Sequence, residues 1–140
     1  MIRIGLKKMA GMICAISVAL SSCTKDSGPI VIPPPVNDTV SFSNHVMVIM
    51  QAKCWFCHPT SGNLDLGHDM AYDQLVNVLS VGYAPSLRVA PYDTAGSVLY
   101  QKVIGNQDFG IEMPPGNSAT LTEEEKRVFQ KWILQGALNN

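Results

Sequence analysis

The 140-residue chain predicts a small all-α domain with long loops, and three observations carry that expectation. Apolar residues recur at helical spacing in several short windows, each with a recognisable start or stop. No window shows the alternation of β-branched and polar residues that marks strands. Gly, Pro, Asn and Asp crowd the stretches between.

The expected elements follow in order. A first helix runs from His45 to Trp55, with Ser43 or Asn44 as its cap and Val46, Ile49 and Met50 on one face. Tyr72, Leu75, Val76 and Leu79 take the i, i+3, i+4, i+7 pattern of a second helix, with Asp69 as its cap. Ser97 to Ile104 reads as a short third helix stopped by Gly105. The last helix is the best specified. Thr122 and Glu125 form a capping box, and Glu123 and Glu124 suit the positive end of the dipole. Val128, Phe129, Trp132 and Ile133 make its apolar face, and Gly136 ends it. Helices this short are marginal alone, and a domain of about 100 residues buries only a modest core. A large apolar ligand at the centre would make up that deficit.

Ahead of the domain lies a different composition. Arg3, Lys7 and Lys8 precede Met9 to Leu20, an uncharged and largely apolar run. As a helix it would reach about 18 Å, against about 30 Å of bilayer hydrocarbon, so it reads as the core of a secretory leader. Leu20-Ser21-Ser22-Cys23 resembles the lipobox of bacterial lipoproteins, in which the cysteine is acylated and the chain is cut before it. More than one acyl chain on Cys23 would give stable anchoring. Residues 24–28 are polar and are followed by Pro29 and Pro33-Pro34-Pro35, a stretch suited to an extended tether. Lys25-Asp26 is similar to a surface-export signal of some Gram-negative lipoproteins. The expected organisation is a leader over 1–22, a lipidated N-terminus and Pro-rich linker over 23–40, and a folded domain over 41–140. The expected location is the envelope of a Gram-negative bacterium, lipid-anchored on the periplasmic side or the cell surface.

Without the leader, seven basic residues face eleven acidic ones. That balance argues against nucleic acid, which asks for clustered Lys and Arg. Of the cysteines, Cys14 lies in the leader and Cys23 is assigned to lipid, which leaves Cys54 and Cys57. A disulfide framework would need more, and more widely spaced, cysteines.

Cys54-Trp55-Phe56-Cys57-His58 has the spacing of the c-type haem attachment motif. On a helical turn, positions i, i+3 and i+4 share a face. Both thiols then reach the two vinyl groups of a haem while the His58 imidazole points at the iron. The rival readings lack context. A thioredoxin-type pair sits in a βαβ unit, a zinc site needs a fourth ligand, and a local disulfide leaves His58 without a role.

The other axial position of such an iron has several claimants. Met47 and Met50 fall on the first helix and read as core side chains, and His45 on the same helix reads as a solvated histidine. Met113 sits in Gly110-Ile111-Glu112-Met113-Pro114-Pro115-Gly116, where proline limits the swing of the loop, and it is favoured. Met70 and His68, in the loop Gly67-His68-Asp69-Met70, remain as alternatives. Leu64, Leu66 and Leu75 are candidate pocket residues. Arg88, the one basic residue between Lys53 and Lys102, is a candidate partner for a haem propionate.

Phe42 to Ala137 resembles the cytochrome c superfamily, and in particular the small haem domains called planctomycete-type cytochrome c. The resemblance is carried by Phe42-Ser43-Asn44, the motif at 54–58, Gly62-Asn63-Leu64-Asp65-Leu66 and Tyr72-Asp73-Gln74-Leu75-Val76. It continues through Arg88-Val89-Ala90-Pro91, Ser97-Val98-Leu99-Tyr100, Met113-Pro114-Pro115 and Trp132-Ile133-Leu134-Gln135-Gly136-Ala137. Pro59 and Thr94 depart from the pattern without touching a proposed ligand. The resemblance implies a class I cytochrome c-like fold around one covalent haem c, with Met113 as distal ligand and the first and last helices packed across each other. It also implies transient redox partner proteins. His and Met are the ligand set of electron carriers, which leaves no open iron position for catalysis. The alternative is a haem-based sensor or peroxidase-like protein with a labile sixth ligand.

Overall fold

The computed structural model describes residues 39–116 and 120–140. The leader, the linker as far as Asp38 and the lipid-site candidate Cys23 lie outside the described residues. What is described is helical, with isolated β-bridges in place of strands. The all-α expectation holds at that level.

The first helix begins earlier than its sequence pattern predicts. A π-helical turn, Phe42–Val46, leads into α1, Met47–Lys53. Ser41, rather than Ser43 or Asn44, is the cap: its Oγ accepts from the Asn44 N–H at 3.2 Å. The Ser41 N–H in turn donates to Nδ1 of His45 at 3.0 Å, which gives that histidine a capping role. The helix also stops before Trp55, because the Cys54 and Trp55 N–H groups both turn onto the Met50 carbonyl at 2.8 and 2.9 Å. Val46, Met47, Ile49 and Met50 are buried, as core residues should be.

The second helix is shorter than expected. It spans Ala71–Leu75 (α2), and Met70, not Asp69, stands at its N-terminus. Periodicity alone carried the expectation through Leu79, but the chain leaves the helix at Val76 and takes a positive φ at Asn77. The Asn77 N–H finds the Val89 carbonyl at 3.0 Å, and the Arg88 N–H finds Val78 at 2.7 Å. Backbone pairing with residues 87–89 thus replaces the helical bonds, and Leu79 is left exposed. The third helix is α3, Val98–Val103, with Gly105 just beyond it at φ +73. Its first N–H groups are received by the Leu87 and Arg88 carbonyls at 3.0 and 2.9 Å, so the 76–97 loop does the work of a cap.

The last helix, α4, Glu123–Leu134, follows its sequence reading closely. Both halves of the Thr122–Glu125 capping box are made, at 2.7 and 3.2 Å. At the other end the Gly136 N–H reaches Ile133 and the Ala137 N–H reaches Trp132, both at 2.9 Å, which is a Schellman motif. Gly136 is required there twice over. Its φ is +99, and a Cβ would meet the Tyr92 ring at 2.6 Å.

The core forms where the first and last helices meet. The Phe42 ring lies 5.3 Å from Trp132 and 5.2 Å, edge-on, from Tyr72. At the far end of α1, Lys53 pairs with Glu125 at 3.1 Å, so α1 and α4 run in opposite senses. Val40 sits at the end of the expected linker but is a core residue, and its N–H donates to Oε1 of Gln135 at 2.8 Å. The domain therefore starts before residue 41.

Candidate functional site

Beyond α1 the chain turns back tightly. The Cys54 carbonyl accepts from the N–H groups of Cys57 and His58, at 3.2 and 3.1 Å. These are the i+3 and i+4 bonds of a helical turn, continued past the end of the helix. A 3₁₀ turn, Ser61–Asn63, follows, and the Leu66 N–H closes back onto the His58 carbonyl at 2.7 Å. His58 is thereby gripped on its backbone. Its ring is gripped too, since Nδ1 lies 2.8 Å from the Ser61 carbonyl oxygen. A carbonyl only accepts, so Nδ1 carries a proton, and in the neutral ring the lone pair is then on Nε2. Contacts of this kind orient histidines that ligate metals.

These residues form one wall of a cavity of about 650 Å³. Its size falls within the roughly 300–1,000 Å³ of cofactor and small-molecule sites. Cys54, Cys57 and His58 line it together with Leu64, Leu66 and Leu75. The rest of the lining comes from Val98, Leu99 and Val103 of α3, the loop at 80–83, and Met113-Pro114-Pro115. The structure thus gathers around one space every residue of the domain that the sequence assigned to the site. Of the methionines and histidines weighed for the second axial position, Met113 alone lines the cavity. Met47 and Met50 are in the core, Met70 is 46% exposed, and the side chain of His68 is exposed beside Asp69.

Met113 is held from two directions. Its N–H donates to the Lys102 carbonyl at the end of α3, at 3.0 Å. Its neighbour Glu112 reaches Lys126 of α4 at 3.2 Å. The loop is tied to the framework on both sides of the methionine.

Arg88 lines the cavity as expected, but its guanidinium is already committed. Nη1 donates to the Gln74 carbonyl and Oε1 at 2.8 and 3.1 Å, and Nη2 to the Asn63 carbonyl at 2.7 Å. Its observed work is to join the 61–64 turn to α2. Sequence reasoning missed the Ser61 carbonyl, Tyr83 and Lys102. The i, i+4 pairs of Val98 with Lys102 and Leu99 with Val103 carried a signal for α3. A backbone carbonyl leaves none.

The chemistry of the two thiols narrows the choices. Both are free, Cys54 half-buried and Cys57 exposed. Burial pushes the Cys54 thiol up to about 12, and the Glu125 carboxylate adds to the shift. A redox or nucleophilic Cys-x-x-Cys needs the reverse, a thiolate stabilised near neutral pH. Cys54, Cys57 and His58 do not converge on one point as zinc ligands would, nor does any other such group among the described residues. A macrocycle held by thioethers asks for neither thiolate nor convergence, and an imidazole on one side with a thioether on the other suits its iron. No described helix is long and apolar enough to cross a membrane.

No family model, curated protein or solved structure matches this chain.

Proposed function

We propose that the chain is a mono-haem c-type cytochrome of the cytochrome c superfamily, anchored to the cell envelope through Cys23, that transfers single electrons outside the cytoplasm. One observation carries the reading. A largely apolar cavity of about 650 Å³ is lined by Cys54, Cys57, His58 and Met113 together. The ring proton of His58 is parked on Ser61, away from its free Nε2.

A haem bound there supplies a one-electron iron couple. Cys54 and Cys57 would hold it as thioethers, His58 through Nε2 and Met113 through its sulfur. The thioether of Met113 would favour the ferrous state, and the apolar lining would add to it, which together raise the potential. With His58 and Met113, both tethered at their backbones, holding the iron, no coordination position would be left for a substrate. The Pro-rich segment at 29–35 suits a carrier that samples partners by small, transient contacts.

The test is an absorption spectrum of the mature protein. A pyridine haemochrome of the two-thioether type is expected, with the long-wavelength ferric band of methionine–iron ligation, lost in Met113→Ala. Ready binding of carbon monoxide by the unaltered reduced protein would instead show an open site and overturn the carrier reading.

A further inference from the structure

The cavity has a polarity that its apolar lining conceals. Lys53, Arg88 and Lys102 line it, and no Asp or Glu does. For a chain with a net charge of −1, that bias points to an occupant carrying negative charge. Two of the three cations are already engaged. Lys53 donates to Oε2 of Glu125 at 3.1 Å and to the Thr120 carbonyl at 3.0 Å. Arg88 is occupied by the Gln74 and Asn63 groups described above.

Lys102 is different. Its ammonium has three protons to donate, and its hydrogen bond is to the Tyr83 hydroxyl at 3.0 Å. Nζ also stands 4.9 Å from the centre of the Tyr83 ring, a cation–π distance. No carboxylate among the described residues pairs with it. The Tyr83 hydroxyl donates onward to the Phe109 carbonyl at 2.6 Å, and the Tyr83 ring stacks at 5.3 Å on Phe109. Lys102 is therefore held in place at the cavity by a pinned aromatic ring, with donors left to offer.

We propose that Lys102, braced by Tyr83, is the anion-binding point of the cavity and receives a carboxylate of the bound group. This rests on the haem reading, in which the group is an apolar macrocycle bearing two propionates. It moves the carboxylate contact from Arg88, where the sequence suggested it and where three N–H groups are spent on Gln74 and Asn63, to a lysine that spends one on Tyr83.

The holoprotein provides the main test. Redox-difference infrared spectra, taken with the haem carboxylates isotopically labelled, should show a propionate band that shifts in Lys102→Met. It should not shift in Lys131→Met, a lysine exposed on α4. Tyr83→Phe should shift it less, because it removes the brace and leaves the charge. A second measurement uses Cys54→Ala/Cys57→Ala protein and haem added from solution. Haem should bind about tenfold more tightly than its dimethyl ester, the low end for a hydrogen bond to a charged group. Adding Lys102→Met should erase the difference. An unshifted band, or equal affinity for acid and ester with Lys102 present, would make Lys102 an ordinary surface lysine and overturn the inference. A chain that carries no covalent haem would fail earlier, at the haemochrome spectrum, and would take the proposed function with it.

Discussion

The wall of the cavity that carries His58 is closed by hydrogen bonds between near neighbours: His58 to Cys54, its ring to Ser61, Leu66 back to His58. Among the described residues, Met113 itself has no such local closure. Its backbone bond goes to Lys102 and its flanking ion pair to Lys126, on two different helices. The His58 segment is thus closed by its own short stretch of chain, whereas Met113 is positioned only once α3 and α4 are in place. The His58 segment should tolerate damage to the core better than the Met113 loop does. Substitutions on each side can test that difference.

The largest effect belongs to the His58 segment. If the chain carries haem as proposed, Cys54→Ala with Cys57→Ala should abolish its covalent attachment, leaving none on a haem-stained denaturing gel. Trp132→Ala comes next and strikes both regions through the core. Trp132 is fully buried against Phe42, and its Nε1–H donates to the Leu138 carbonyl at 2.9 Å. Truncating it should destabilise the domain by about 3–5 kcal/mol in guanidinium unfolding. If that difference holds, the methionine–iron band should fade at a lower denaturant concentration than histidine ligation is lost. Met113→Ala isolates the Met113 loop: the potential should fall and carbon monoxide should bind, with helical content unchanged by circular dichroism. Thr122→Ala removes the cap of α4 and should cost about 1 kcal/mol. Glu112→Ala breaks a half-exposed ion pair on the Met113 loop and should cost less than about 1 kcal/mol of stability. Equal sensitivity of the two axial ligands to Trp132→Ala would break the comparison.

A second contrast separates the two ends of the α1–α4 pairing. At one end Phe42, Tyr72 and Trp132 interlock as rings. At the other, Lys53 and Glu125 are buried as a charged pair whose Glu125 Oε1 has no partner among the described residues. Aromatic packing tolerates small shifts. A buried charge does not, because losing its partner leaves it uncompensated in a medium of low polarity.

Residues 54–58 and the capping box at 122–125 could be read directly, because each is a local pattern: thiol, imidazole and carboxylate placed by the geometry of one helical turn. Gly136 belongs with them, since a positive φ at a helix end restricts which residue can stand there. The second helix could not be read to its end. Tyr72, Leu75, Val76 and Leu79 satisfy helical periodicity, and the bonds that stop the helix at Leu75 come from Arg88 and Val89, which no local window contains. The burial of Val40, at the very start of the domain, is illegible for the same reason: its N–H is held by Gln135, nearly the whole domain away. Met113 was favoured from its loop, but its position facing the cavity depends on Lys102 and Lys126. The engagement of Arg88, and the ammonium of Lys102 over Tyr83, were invisible for a simpler reason. Charge can be counted along a chain, whereas whether a charge is already satisfied depends on which carbonyls and carboxylates the folded chain brings within hydrogen-bonding reach.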